Sequence, residues 1–275
     1  MGKKIALVLS GGGARGLAHI GVIEELEKRG MEISSIAGTS MGALVGGVYA
    51  QGKLKEFKNW MYTLDKRKVF SLVDFTLSTS GLVKGDRVLK AMKEFIPDKN
   101  IEDLDIDFSA TAADITHHKE VVYHSGSLYK AIRASIAIPT VITPVLEEGT
   151  VIVDGGVLNN LPVKNVKRND GDMLVAVYVN ANVPVSDSKE FSEKNKARQS
   201  VYRKKLNEFY AYLHELVPES KTEKMGFFNL IENTITSMTY QQVRLTLENH
   251  PPDLLVEVSR DICGTYDFYL SLIHI

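Results

Sequence analysis

The sequence is poor in cysteine and has no excess charge of either sign. Its 275 residues include one cysteine, Cys263, which excludes an intrachain disulfide and a multi-cysteine metal site. The 33 basic and 34 acidic residues give a formal net charge of −1. The overall charge therefore does not favour nucleic acid as a partner. With 44% hydrophobic and 24% charged residues, the composition is that of a globular protein.

The sequence also lacks a long apolar segment of the secretory or membrane-spanning kind. Residues 5–9 form the N-terminal apolar run, which is shorter than the roughly 7–15 apolar residues of a signal peptide. Residues 33–52 carry no charge, but they are rich in Gly, Ser and Thr. This composition indicates a strand, a tight turn and a buried helix rather than a membrane span. We therefore expect a cytoplasmic protein.

The order of the predicted elements indicates an α/β fold. Residues 4–10 are typical of a buried strand, and residues 17–28 of an amphipathic helix that follows a glycine-rich loop. A second strand over residues 33–37 leads into an apolar helix over residues 41–50. Because a repeated strand–loop–helix order favours parallel strands, we predict a three-layer α/β/α fold with a central, mainly parallel sheet.

The character of the sequence changes near residue 184. We predict a catalytic core over residues 1–184 and a helical C-terminal extension or lid over residues 185–275. The extension contains polar helical patterns over residues 186–215 and 225–247. An apolar run over residues 254–258 is predicted to return one strand to the core.

A basic segment lies within this extension. Six basic residues and no acidic residue occur between Lys194 and Lys205. The simpler interpretation is a solvated helix face, and the alternative is a lid that makes transient contact with phospholipid headgroups at a membrane surface.

The first of three local motifs is a glycine-rich loop between the first strand and the first helix. It satisfies G-x-G-x-x-G, the fingerprint of dinucleotide-binding folds. Those folds also require an acidic residue at the end of the second strand, where this sequence has Ala37, Gly38 and Thr39. The loop is therefore interpreted as a set of backbone N–H groups that face a negatively charged atom. Its residues are Gly11, Gly12, Gly13, Ala14, Arg15 and Gly16.

The second motif is a G-x-S-x-G sequence between the second strand and the apolar helix. Gly38, Ser40 and Gly42 occupy its fixed positions. In this context the motif is typical of a nucleophile elbow, a sharp turn that exposes a serine hydroxyl. The N-terminus of the following helix is placed to stabilise a developing oxyanion. Ser40 is thus the candidate nucleophile.

A nucleophilic serine needs a base, and the usual base is histidine. Of the seven histidines, His19 on the first helix is placed to pack near the glycine loop, and none follows a strand in an obvious catalytic context. The third motif, Asp154, Gly155 and Gly156, directly follows the apolar residues 151–153. We expect Asp154 at the carboxyl end of a parallel strand, the edge where such sheets place their sites.

Together these motifs resemble the patatin-like phospholipase family. The family pattern combines a G-G-G-x-R-G loop, a G-x-S-x-G elbow and a D-G-G motif, and the sequence has all three in that order. The stretch from Ala134 to Pro139 also resembles the A-S-x-x-x-P stretch that precedes the family's aspartate. The resemblance extends from about Lys3 to Val179.

The resemblance implies a serine-type lipid acyl hydrolase, of the phospholipase A-like, lysophospholipase or carboxylesterase type, that acts through an acyl-enzyme. It implies a dyad in which Ser40 is the nucleophile and Asp154 the general base, and it implies no cofactor or metal. The oxyanion hole is assigned to the glycine loop. Arg15 either orients the loop, attracts an anionic headgroup or is simply a surface charge. The implied site comprises Gly11, Gly12, Gly13, Arg15 and Gly16 of the loop, Gly38 and Gly42 of the elbow, and Gly155 and Gly156 beside the aspartate.

Two other functions stay open on the sequence. An acyltransferase or thioesterase is able to use the same Ser40 elbow with another acceptor or a thioester. A non-catalytic regulatory or binding protein on the same scaffold is the second alternative, although an intact Ser40 and Asp154 weigh against it.

Overall fold

The computed structural model describes residues 3–72, 81–185, 227–265 and 267–268. The segment between Lys194 and Lys205 and the helix predicted over residues 186–215 lie outside these ranges, so both stay predictions, as does the division of the chain near residue 184. The strands are β1 (Lys4–Leu9), β2 (Glu32–Thr39), β3 (Gly81–Val83), β4 (Asp107–Asp114), β5 (Lys119–Tyr123), β6 (Thr140–Ile142), β7 (Val145–Glu147), β8 (Thr150–Asp154), β9 (Met173–Ala181) and β10 (Leu254–Ser259).

The described helices are interspersed with the strands. No helix in the described ranges combines the length and the apolar character needed to cross a bilayer. The α-helices are α1 (Ala18–Lys28), α2 (Met41–Ala50), α3 (Leu54–Tyr62), α4 (Lys66–Leu72), α5 (Asp86–Lys93), α6 (Leu128–Ser135) and α7 (Phe227–Asn249).

The central sheet is mainly parallel, as the sequence predicts. Its strand order is β10-β9-β1-β2-β4-β8-β7, with β5 paired to β4. Strands β10, β9, β1, β2 and β4 pair with one another in parallel. Strands β5 and β8 are antiparallel to β4, and β7 is antiparallel to β8. A small parallel pair, β3 and β6, lies apart from this sheet.

Both faces of the sheet are buried because the side chains of β1 are apolar on each side. Ile5, Leu7 and Leu9 pack in the larger core with residues of α1, α2, α3 and α6. Ala6 and Val8 point to the opposite face, where they pack with apolar residues of β9 and with Val243 of α7. Helices therefore cover both faces, which confirms the α/β/α architecture.

Strands β2 and β8 lie end to end along one edge of β4. Strand β5 pairs with β4 from Ala110 to Asp114, so β2 and β8 must share the other edge. There β2 is parallel to β4 and ends with Thr39 opposite Thr111, while β8 is antiparallel and ends with Asp154 opposite the next residue of β4. The carboxyl ends of the two strands therefore meet.

The expected parallel orientation of the strand before Asp154 is wrong. Strand β8 follows β7 in a hairpin whose two-residue turn has positive φ at Glu148 (48°) and Gly149 (81°), the geometry that joins antiparallel strands. A short, apolar, buried run is typical of a parallel strand, but it carries no information about direction. The sequence therefore located the end of the strand and not its orientation.

The start of α2 approaches the end of β1 closely enough to require glycine at residue 42. A Cβ atom there would lie 2.3 Å from the carbonyl oxygen of Leu9 and 2.7 Å from that of Ser10. At Gly47 on the same helix, a Cβ atom would first meet Leu128 Cδ1, at 2.8 Å. The obstacle at residue 42 is fixed backbone, whereas the nearest obstacle at residue 47 is the end of a flexible side chain.

We expect Gly42→Ala to lower the free energy of unfolding by about 1–3 kcal/mol, the usual cost of overpacking a buried site. Gly47→Ala is the matched control in the same helix, where alanine favours the helical state by up to about 1 kcal/mol. Its loss should be smaller because the Leu128 side chain is able to move, whereas the Leu9 backbone is not. Thermal and urea unfolding of both variants measure the difference. Equal stability of the two variants would contradict this packing argument.

Candidate active site

Ser40 lies in a strained turn between β2 and α2. Its φ of 55° and ψ of −123° place a non-glycine residue in a sparsely populated backbone region, at a cost of order 1–3 kcal/mol. Ser40 is 5% exposed as a residue, and it borders a cleft. This is the geometry of a nucleophile elbow.

The hydroxyl of Ser40 is hydrogen-bonded to the carboxylate of Asp154. Ser40 Oγ donates to Asp154 Oδ2 at 2.5 Å, and the backbone N–H of Gly156 donates to Asp154 Oδ1 at 2.7 Å. The two side chains come together because β2 and β8 end at adjacent residues of β4. Within the described part of the chain, Asp154 is the hydrogen-bond partner of the Ser40 side chain.

Burial makes the carboxyl group of Asp154 a weaker acid than that of an ordinary aspartate. Removal from water raises the pKa of its carboxyl from 3.8 to about 6, although the hydrogen bonds from Ser40 and Gly156 act in the opposite direction. Near neutral pH the group is therefore largely ionised, and it is a stronger base than an ordinary aspartate.

Among the described residues, no histidine is hydrogen-bonded to Ser40. His19 is fully buried, and its Nε2 lies 2.8 Å from the carbonyl oxygen of Ser10. Burial lowers the pKa of His19 to about 4, so the ring is neutral and donates Nε2–H to Ser10. His117 lies elsewhere, 2.8 Å from Asp114. His214 and His274 lie outside the described residues.

Both backbone polar groups of Gly11, the first glycine of the loop, are hydrogen-bonded. The N–H of Gly11 donates to the carbonyl oxygen of Asn160 at 3.1 Å. Its own carbonyl oxygen accepts from Asn180 Nδ2 at 2.7 Å and from Asn160 Nδ2 at 3.5 Å. The N–H of Gly11 is thus engaged and is not directed at a substrate.

Two N–H groups of the loop have no acceptor in the described ranges, those of Gly12 and Gly13. Both residues border the cleft together with Ser40. The next N–H along the chain, that of Ala14, donates to the carbonyl oxygen of Thr265 at 2.8 Å. Among the described residues of the loop, Gly12 and Gly13 are therefore the ones whose backbone donors stay available beside the cleft.

Arg15 ties the glycine loop to the C-terminal part of the described chain. Its Nε donates to Asn180 Oδ1 at 2.9 Å, and its other nitrogens donate to Thr265 Oγ1 at 3.2 Å and to backbone carbonyls at 3.3 and 3.4 Å. These contacts support the interpretation in which Arg15 orients the loop.

The remaining glycines of the three motifs allow close packing around the dyad. A Cβ atom at Gly38 would lie 2.5 Å from the backbone of Gly42, and one at Gly155 would lie 2.3 Å from the carbonyl oxygen of Thr111. Gly16 packs against the side chain of Met41. Gly156 supplies the N–H that binds Asp154.

Ser135 links the turn at Ser40 to strand β4 by hydrogen bonds, a role that the sequence did not predict. The backbone N–H of Ser40 donates to Ser135 Oγ at 2.8 Å, and Ser135 Oγ donates to the carbonyl oxygen of Thr111 at 2.6 Å. Ser135 belongs to the A-S-x-x-x-P stretch from Ala134 to Pro139, and this stretch was the sequence feature that could have pointed to it. Asn160 and Asn180 belong to none of the three motifs.

The dyad lies in a cleft with a volume of about 360 Å³. Helix α7 forms one wall and is fixed to the turn after Asp154, because Thr239 Oγ1 donates to the carbonyl oxygen of Gly156 at 3.1 Å and Gln242 Nε2 donates to that of Val157 at 3.0 Å. Apolar residues of the wall and of the facing loops are Ile138, Pro139, Val157, Ile231 and Ile235.

The chain is similar to several known proteins. An uncharacterized NTE family protein of Mycobacterium tuberculosis is 34% identical over 98% of this chain and 87% of its own length. Lysophospholipase nte1 of Aspergillus niger is 29% identical over 97% of this chain, which corresponds to 17% of that protein. The solved structure of VipD from Legionella pneumophila is 18% identical, with a TM-score of 0.43 over 78% of this chain and 55% of that one.

The family comparison covers the elements that build the site. Residues 7–167 match the family described as patatin-like phospholipase, a range that contains the glycine loop, the Ser40 elbow and Asp154. The chain therefore belongs to the patatin-like phospholipase family.

Proposed function

We propose that this protein is a serine-type hydrolase of lipid acyl esters that uses a Ser40–Asp154 dyad. The observation that carries the proposal is the 2.5 Å hydrogen bond between the two side chains inside the cleft. Membership of the family, and relatives named lysophospholipases, support lipid esters as the substrate class.

In the first half-reaction, Ser40 Oγ attacks the ester carbonyl carbon as its proton passes to Asp154 Oδ2. The carbonyl electron pair moves to the oxygen, and the resulting oxyanion accepts hydrogen bonds from the backbone N–H groups of Gly12 and Gly13. When the tetrahedral intermediate collapses, the bond to the leaving alcohol breaks and the alkoxide takes the proton from Asp154. The product is an acyl ester of Ser40 and a free alcohol.

In the second half-reaction, water takes the place of Ser40 as the nucleophile. Asp154 accepts a proton from the water as its oxygen attacks the acyl carbon, and the same N–H groups bind the second oxyanion. Collapse breaks the bond to Ser40 Oγ, which recovers its proton from Asp154. The fatty acid leaves, and the dyad returns to its starting state.

The cleft supports an acyl chain as the group transferred to Ser40. Its apolar lining comes from Ile138, Pro139 and Val157 and from Ile231 and Ile235 of α7, which alternate with polar residues of the same helix. A chain of methylene groups gains about 0.8 kcal/mol for each group buried against apolar side chains. We therefore assign the acyl chain to these apolar residues.

Ser40→Ala tests the nucleophile. We expect hydrolysis of a p-nitrophenyl acyl ester to fall by at least on the order of 10³-fold, because the acyl-enzyme has no acceptor oxygen. A fluorophosphonate probe is expected to label the wild-type protein at Ser40, as mapped by peptide mass spectrometry. Ser125→Ala, at an exposed serine, is the matched control. Labelling at another residue, or a fully active Ser40→Ala protein, would exclude the proposed nucleophile.

Asp154→Asn separates the catalytic cost from the folding cost. We expect a large loss of activity, because an amide is not a base, together with a gain in stability at pH 8. Ionised Asp154 is buried at an energetic cost, and the rise of its pKa from 3.8 to about 6 corresponds to on the order of 3 kcal/mol. The gain should be absent below pH 4, grow as pH rises towards 6, and then level off.

Urea unfolding of wild type and Asp154→Asn between pH 4 and 8 measures this difference. Asp105→Asn, at an exposed aspartate, controls for removal of one negative charge. An Asp154→Asn protein that is less stable than wild type at pH 8 would show that the carboxylate is a net stabilising group, against the direction of its pKa shift.

The pH profile tests the base directly. Because Asp154 must be ionised to accept the proton of Ser40, kcat/KM is expected to fall on the acid side with an apparent pKa of about 6 and to decrease about tenfold per pH unit below it. Stopped assays between pH 4 and 8 with a non-titrating ester measure the profile. An acid limb near pH 4 would indicate an aspartate of ordinary acidity and contradict the buried base.

A further inference from the structure

We infer that Asn180 is a positioning residue for the oxyanion hole: its side-chain amide holds the Gly11–Gly12 peptide so that the N–H of Gly12 faces the reacting carbonyl. The inference rests on the proposed function, because it concerns the donors that the glycine loop offers to the oxyanion. Asn180 lies near the end of β9, far in sequence from the loop and outside the range matched by the family.

The amide of Asn180 is fixed in one orientation by two partners of opposite kind. Its Nδ2 donates to the carbonyl oxygen of Gly11 at 2.7 Å, and its Oδ1 accepts from Arg15 Nε at 2.9 Å. Arginine nitrogens only donate and a carbonyl oxygen only accepts, so a rotated amide would lose both bonds. Arg15 therefore locks Asn180 in the orientation that presents a donor to Gly11.

The bond to Gly11 determines where the next N–H points. In a planar trans peptide the C=O of one residue and the N–H of the next lie on opposite sides of the chain, and the Gly11–Gly12 peptide is trans. With the carbonyl oxygen of Gly11 held by Asn180, the N–H of Gly12 is directed away from that asparagine. Gly12 borders the cleft, and its N–H has no acceptor in the described ranges.

The loop needs this support because it has no side chains of its own at three consecutive positions. Glycines populate a wide range of φ and ψ, so the Gly11–Gly12 peptide is free to rotate unless another element holds it. Asn160 Nδ2 is also near the carbonyl oxygen of Gly11, but at 3.5 Å it is at the limit of a hydrogen bond. Asn180 makes the shorter contact.

Two substitutions of Asn180 separate its contact with Gly11 from its contact with Arg15. In Asn180→Asp the carboxylate still accepts from Arg15, but it has no donor and repels the carbonyl oxygen of Gly11. In Asn180→Ala both contacts are lost. If the contact with Gly11 is the one that matters, both variants should lose kcat by on the order of 10- to 100-fold, below the roughly 10²–10³-fold cost of deleting a donor.

The control and the readouts are chosen to exclude a general structural effect. Asn59→Asp, at an exposed asparagine of α3 that does not line the cleft, introduces the same charge. We expect KM to change little. The inhibition constant of an alkyl trifluoromethyl ketone, whose hemiketal on Ser40 carries an oxyanion, should rise in proportion to the loss of kcat. Binding of an alkyl ether with the same chain and no carbonyl should stay as in wild type.

The results for the Asn180 variants either support or overturn the positioning role. Parallel losses of kcat and ketone binding in Asn180→Asp, with ether binding and Tm close to those of Asn59→Asp, support it. Wild-type kcat in Asn180→Asp overturns it, whether Asn180→Ala is active or folds at all, and so does an equal weakening of ketone and ether binding. A wild-type chain that a fluorophosphonate does not label at Ser40 overturns the proposed function as well, so the two failures are distinct.

Discussion

The hydrogen bond between Ser40 and Asp154 exists because two strands run towards each other along one edge of β4. Residues 114 positions apart in sequence are brought together where β2 and β8 stop at adjacent residues of that strand. The turn at Ser40 requires the end of β2 to lead sharply into α2, and the proposed base, Asp154, requires the end of β8 to stay buried. A shift of either strand by one residue would separate the pair, because successive side chains point to opposite faces.

The site concentrates features that are unfavourable for folding. Ser40 has a strained backbone, the carboxylate of Asp154 is largely buried, and the close approach of α2 to β1 depends on Gly42. In the proposed mechanism the first two features have a chemical use: the strained turn presents the hydroxyl at the cleft, and burial makes the carboxylate more basic. The apolar residues on both faces of the sheet offset these costs, and this explains why the dyad lies at the middle of the sheet and not on a surface loop.

The sequence predicts those features of the fold and the site that depend on neighbouring residues in the chain. The order of β1, α1, β2 and α2, with glycine-rich turns between strand and helix, was enough to predict the parallel sheet. The three motifs placed Ser40 and Asp154 at strand ends, where the structure has them. The direction of β8 was not predictable, because it is decided by pairing with β4 and β7, far from any local pattern. Asn180 was missed for the same reason, since a lone asparagine near a strand end has no signature until its partners are known.

The glycine loop shows why a motif is not a complete description of the oxyanion hole proposed for it. Residues without side chains allow N–H groups to approach a substrate, but they have nothing with which to hold their own peptides in place. The contacts that fix this loop come from Asn160, Asn180 and Thr265, all distant in sequence from it. In the proposed site, the C-terminal part of the described chain therefore contributes through orientation, because Asn180 and Thr265 hold the backbone of the glycine loop.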